Sequence, residues 1–183
     1  MDNISLDRII QRSKAVATFD TRTFAEIARD PRALAEAAVV VVTVAVARGI
    51  GGLNDGAGGL ISGIILSLLG WVIAAMVVYF VGTRVTGTPT TSGSVESLMR
   101  TLGYASAPNI FAFLGFIWII GPMILGVLWI WTVITTILAI RASLAMSLSR
   151  AIITGVVAWI ASVIIQTLLI WIFDLNILFT NFF

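Results

Sequence analysis

RTLGYASAPNIF, residues 100–111, sets a basic residue, a tyrosine, small residues and a proline at the head of a long apolar run. Just upstream, TRVTGTPTTSGS (83–94) is a polar loop, and SVESLMR (94–100) reads as a short amphipathic helix. Val95, Leu98, Met99 and Leu102 share one face of it, while Glu96 and Arg100 form an i,i+4 pair in the favourable order. Pro108 lacks an N–H, and its ring displaces the carbonyl four residues earlier, that of Tyr104, so the chain bends here. Gly103, Ala105, Ser106 and Ala107 are small enough to let another helix approach the bend. Tyr104 offers a hydroxyl to headgroups or to a neighbouring helix. The stretch therefore predicts an elbow that turns an interfacial helix into a spanning one. Arg100, Gly103, Tyr104 and Pro108 are its structural and partner-contact residues, with no catalytic role.

Composition sets the solvent for the rest. Of the 183 residues 59% are hydrophobic and only 11% charged, against about 25% charged in soluble domains, and the mean hydropathy is +1.07. This is a membrane protein, one domain by length. Cysteine and histidine are both absent. Their absence removes disulfides, thiolate nucleophiles, Cys/His zinc sites and imidazole bases. The nine acids are scattered, with no spacing suited to a carboxylate metal site. No cofactor and no enzyme chemistry are expected, and no segment could form a nucleic-acid-binding domain.

Five apolar segments approach the roughly 20 residues needed to cross a bilayer. They run over about 31–50, 59–82, 103–120, 122–140 and 151–173, so the expected fold is all-α and polytopic with five transmembrane helices. Asp30 and Pro31 suit the start of the first, which reads as a retained anchor because a charged head precedes it. GIGGLNDGAGG (49–59) reads as the loop that ends it, and Gly121–Pro122 as the turn between the third and fourth. Arg8, Arg12, Lys14, Arg22, Arg29, Arg32, Arg84, Arg100, Arg141 and Arg150 all fall on one side if the helices alternate; Arg48 alone lies toward the other. The positive-inside rule then puts the N-terminus in the cytoplasm and the C-terminus outside.

The same reading divides the chain into a basic amphipathic head (1–32), a membrane domain (33–173) and an aromatic tail (174–183). In the head, ISLDRIIQRSKAV has helical rhythm, and Thr23–Glu26 matches a capping box that starts a second short helix. The head reads either as a segment lying on anionic lipid or as a solvated cytoplasmic helix. Trp171, Phe173, Phe179, Phe182 and Phe183 suit an interfacial belt.

Small and hydroxylated residues recur along the helices: Thr132, Thr135 and Thr136 in the fourth, and Thr154, Ala158, Ser162 and Gln166 at fourfold spacing in the fifth. They read as packing seams or as the lining of a polar pathway, packing being their commoner meaning in membranes. Glu36 and Arg48 each lie about one turn from an end of the first helix, close enough to an interface to snorkel. Arg32 is four residues from Glu36 and offers it a surface pair. Arg141 and Arg150 are the remaining interfacial charges.

RTLGYASAP, the Gly121–Pro122 hairpin and WIWTVITTILAIRASLAMSLSRAI (129–152) together resemble the bacterial branch of the Yip domain family, relatives of the eukaryotic Ypt/Rab-interacting membrane proteins. The most specific matches are Gly103, Tyr104, Pro108, Trp131, Thr135, Arg141, Ser149, Arg150 and Ala151, and the likeness spans about residues 30–173. It implies a five-span bundle with a cytoplasmic N-terminus. The eukaryotic members carry an acidic Asp-Leu-x-Gly-Pro signature before the first span, whereas RDPRALAEA (29–37) keeps only an Asp and a Pro in another arrangement. Rab binding and vesicle traffic are therefore not carried over.

The expectation that follows is a non-enzymatic protein of the bacterial cytoplasmic membrane. It would act as an adaptor, scaffold or accessory subunit that binds other integral membrane proteins or copies of itself, or organises membrane lipid. The alternative is a small oligomeric transporter or channel whose pathway passes Thr132, Thr135, Thr136, Ser162 and Gln166. A membrane-embedded lipid enzyme would have only Glu36 with Glu96 to work with.

Overall fold

The computed structural model describes residues 5–51, 56–117 and 120–181, all-helical with no strand among them. The order is α1 (Leu6–Ala17), α2 (Thr21–Arg29), α3 (Ala33–Gly51), α4 (Gly56–Phe80), a π-helical turn (Val81–Val85), α5 (Val95–Ala105), a 3-10 segment (Ala107–Phe116), α6 (Gly121–Leu144) and α7 (Leu148–Asn181). Three described stretches are long and apolar enough to cross a membrane: Ser67–Val85, Gly121–Leu144 and Leu148–Ile165. Their outer faces carry Leu69, Met76, Trp129, Ile130, Trp159 and Ile160, all exposed. Such faces are stable only against lipid tails.

The elements start where local chemistry satisfies orphan backbone donors. The Ser94 side chain caps α5 by accepting from the Ser97 N–H (3.1 Å). Asp30 accepts from the Arg32 N–H (3.0 Å) in the turn that leads into α3. The start of α2 differs from the expected capping box: the cap is Asp20, which takes the Arg22 N–H (3.0 Å) and the Thr23 hydroxyl (2.8 Å). An acid already placed before the helix outcompetes a threonine three residues in. Gly121 begins α6 because its Cα lies against the Gly115 carbonyl, where any Cβ would clash.

The third expected span is not a continuous α-helix. α5 ends at Ala105, Pro108 is fully buried, and the chain continues as ten residues of 3-10 helix, about 20 Å long at the rise of that helix. Such long 3-10 runs are uncommon, and side chains support this one. The Thr135 hydroxyl of α6 donates to the Ala105 carbonyl (2.8 Å), and Ser106 Oγ donates to the Gly103 carbonyl (2.7 Å). Asn109 Nδ2 donates to Thr132 Oγ1 (2.6 Å). The last helix reaches Asn181, so its backbone continues through most of the expected tail. The side chains of Gln166, Trp171, Phe173 and Phe179, and residues 182–183 altogether, lie outside the described residues, as does the centre of the glycine loop at 52–55.

Two apolar clusters form the core. One joins Ile9, Val16, Phe24 and Ile27 of the head to Ala37, Val40 and Val44 of α3 and to Tyr104 and Ala105. The other joins Ala75 and Val78 of α4 to Leu98, Ile140, Leu144, Ala151 and Ala158. α5 contributes to both and is the wedge between them. α1 and α2 are packed into the bundle, neither lying free on lipid nor solvated all round.

Candidate functional site

Glu36, near the start of α3, is the centre of the most polar place in the core. It is 1% exposed, so it is not a surface partner of Arg32 and does not snorkel to an interface. A carboxylate buried to that degree needs opposite charge and hydrogen bonds. α1 supplies the charge. Ile9, Arg12 and Val16 are its buried residues, spaced three and four apart on one face, so Arg12 enters the core along an apolar stripe. Arg12 Nη1 donates to Glu36 Oε2 (2.8 Å), and its Nη2 donates to Glu26 Oε1 and Asp30 Oδ2 (2.7 Å each). Arg8 Nε donates to the other oxygen of Glu36. α5 supplies the neutral donor: the Tyr104 hydroxyl, fully buried, donates to Glu36 Oε2 (2.7 Å).

Arg12 and Asp30 are each held in the charged form by the other. Burial alone would lower the pKa of Arg12, but hydrogen bonds to Glu26, Asp30 and Glu36 prevail and raise it above the ordinary arginine value. Burial alone would raise Asp30, yet the Arg12 guanidinium and the Arg32 N–H hold its carboxyl below the usual carboxylate range. Both oxygens of Glu36 accept hydrogen bonds. Chemically the arrangement is a latch that fastens the head to the bundle.

The elbow residues converge on this latch. Arg100 Nη1 donates to the Ala28 carbonyl at the end of α2 (3.1 Å), a favourable place for a cation at a helix C-terminus. Its pair with Glu96 is looser, at 3.9 Å, and Glu96 is exposed. Gly103 brings α5 against α3: a Cβ there would lie 2.7 Å from the Ala37 Cβ and 3.2 Å from the Ala37 carbonyl oxygen. Pro108 is buried where the helix breaks. Trp131 of α6 adds a second fastening, its Nε1 donating to the Ala17 carbonyl at the end of α1 (2.9 Å), and Phe19 packs near its ring.

Among the described residues, hydroxyls of the two stripes bond within the bundle. Thr132 and Thr135 serve the 3-10 segment and their own helix. Thr136 is half-buried. Ser162 donates to the Ala158 carbonyl of its own helix (2.8 Å), and Thr154 pairs with Thr86 (2.6 Å). Arg150 reaches the Thr86 carbonyl (3.4 Å), and Arg141 is exposed beside a cleft it shares with Thr21 and Ala25 of α2. Arg48 is exposed at the far end of α3. The sequence reading placed Arg8 and Arg12 among the orienting charges, Glu26 in a capping box and Asp30 at a helix start, and brought none of them to Glu36. The available signal was an arginine on the apolar face of α1.

A helical bundle with lipid-facing outer walls and an ionic latch at one end defines the class: a polytopic α-helical membrane protein. Residues 14–170 match the Yip1 domain family, and the chain belongs to it. The match begins within α1, so it takes in part of the latched head as well as the bundle. No curated protein and no solved structure matches the chain.

Proposed function

We infer that this Yip1-domain protein is non-enzymatic and acts as an adaptor, scaffold or accessory subunit for other membrane proteins or for lipid. In this reading it has five spans, with α3 and the α5–3-10 unit as the two beyond the most apolar three. Its N-terminus is cytoplasmic, its C-terminus is outside, and it resides in a bacterial cytoplasmic membrane. The gathering of Arg12, Arg100 and Arg141 around the head end of the bundle supports that orientation.

The observation that carries the reading is how the interior polar groups are used. Thr101 bonds Ser143 (2.6 Å), Thr86 bonds Thr154, Asn109 bonds Thr132, and Thr135 bonds the Ala105 carbonyl. A solute pathway needs polar groups left facing a passage, whereas these face one another. What remains for function is the outside: broad apolar helix faces, and a head whose α1 turns Leu6 and Ile10 outward at 67% and 51% exposure. Such faces suit contact with other helices or with the headgroup boundary.

The test is extraction in native-lipid particles followed by mass spectrometry of the purified assembly. The expected result is a stoichiometric integral membrane partner. A homo-oligomer without partners that passes solute in proteoliposomes would overturn the reading in favour of a transporter or channel.

A further inference from the structure

The end of α3 remote from the latch carries Arg48, exposed. Arg48 is twelve residues beyond Glu36, about 18 Å along the helix axis. Among the described residues it has no hydrogen-bond or ion-pair partner. It faces a cleft of about 420 Å³ shared with Asn109 and Gly115 of the 3-10 segment and Leu125, Trp129 and Thr132 of α6. Leu125 to Thr132 lie about 6–17 Å into α6 from Gly121, a helix long and apolar enough to cross a membrane. The cleft is thus walled by lipid-facing protein. A guanidinium set against such walls is favoured by an anionic partner.

The donors present select the ligand. Asn109 Nδ2 is engaged by Thr132 Oγ1 and the Ser106 carbonyl, and the Thr132 hydroxyl donates to the Leu128 carbonyl (2.8 Å). The charged donor is the Arg48 guanidinium, whose planar fork matches a phosphate oxygen pair. In the cleft Trp129 and Leu125 are 62% and 43% exposed. They add an amphipathic indole and aliphatic surface to its lining. We propose that this cleft binds the phosphate headgroup of an anionic membrane lipid on Arg48, with the acyl chains lying along Leu125 and Trp129. The apolar lining is what favours a lipid over free phosphate.

The test uses the full chain in mild detergent, titrated by native mass spectrometry with phosphatidylglycerol and with phosphatidylcholine of the same acyl chains. The expected result is one tightly held phosphatidylglycerol per chain and weaker retention of phosphatidylcholine. Arg48→Gln should weaken that binding about tenfold or more, Arg48→Lys by less, and Arg141→Gln not at all. Arg48 has no hydrogen bond or ion pair to lose among the described residues, so lipid-free Arg48→Gln should melt with the parent protein. Equal retention of phosphatidylglycerol by Arg48→Gln overturns the proposal, as does equal retention of the two lipids by the parent. Displacement of the lipid by inorganic phosphate alone overturns the lipid assignment, and a lipid-free stability loss in Arg48→Gln contradicts its premise.

Discussion

Glu36→Ala strikes the latch at its centre. Glu36 is 1% exposed and accepts from Arg8, Arg12 and Tyr104. Removing one partner of a buried ion pair costs about 3–5 kcal/mol, and a buried hydroxyl left without its acceptor adds about 1–3 kcal/mol. Two features reduce the sum. Arg12 keeps Glu26 and Asp30, whose side chains are 64% and 22% exposed, and Arg8 at 32% can turn to solvent. We therefore expect a loss of about 3 kcal/mol in the free energy that holds the head down, roughly a hundredfold in its opening equilibrium. Amide hydrogen exchange reads this directly. Protection across Leu6–Ala17 and Thr21–Arg29 should fall by about that factor, while α6 keeps its own. Glu36→Gln, which retains an acceptor for Tyr104, should cost less. If exchange in α1 and α2 were the same in Glu36→Ala and the parent protein, the latch would not hold the head, and the reasoning would fail.

Three further outcomes follow from the same geometry. Gly103→Val should separate α5 from α3, because even a Cβ would lie 2.7 Å from that of Ala37; the expected cost is about 1–3 kcal/mol, read as a lower unfolding temperature in detergent. Thr135→Val keeps the shape but leaves the Ala105 carbonyl without its donor; about 1–3 kcal/mol should be lost, with faster exchange confined first to residues 105–116. Acidification should free the head. Asp30 has a folded-state pKa below its unfolded value, so its contribution is complete above about pH 4 and is lost as pH falls through the lower folded value. Protease access to the Asp30–Arg32 turn should rise over that acid range and not between pH 5 and 8.

Much of the scaffold was legible because it depends on composition and short-range chemistry. Twenty-residue apolar runs, the short helix that opens near Ser94 and the bend at Pro108 are each decided within a few residues of themselves. The 3-10 geometry after Pro108 was not, since it rests on Thr135 and Thr132 reaching across from another helix. Glu36 shows the same divide. Its neighbour four residues away, Arg32, was the visible candidate, while its partners Arg12 and Tyr104 stand 24 and 68 residues distant. Sequence spacing exposes pairs on one helix and conceals pairs between helices. Arg100, Gly103 and Tyr104 were recognised together because they share a turn of α5. What they face, the end of α2, Ala37 and Glu36, belongs to two other elements.

The central claim is that head and bundle are one body. The chain has no cysteine, so thiols can be introduced without background. Ala25 of α2 and Ala142 of α6 line one cleft between the head and the bundle, and both are small enough to replace conservatively. In native membranes, the Ala25→Cys/Ala142→Cys protein treated with a short bifunctional thiol reagent should form an intramolecular link in most chains. Adding Glu36→Ala should reduce that yield sharply. A yield no higher than that of a pair placed at opposite ends of the bundle would mean that the head does not dock, and would contradict the account.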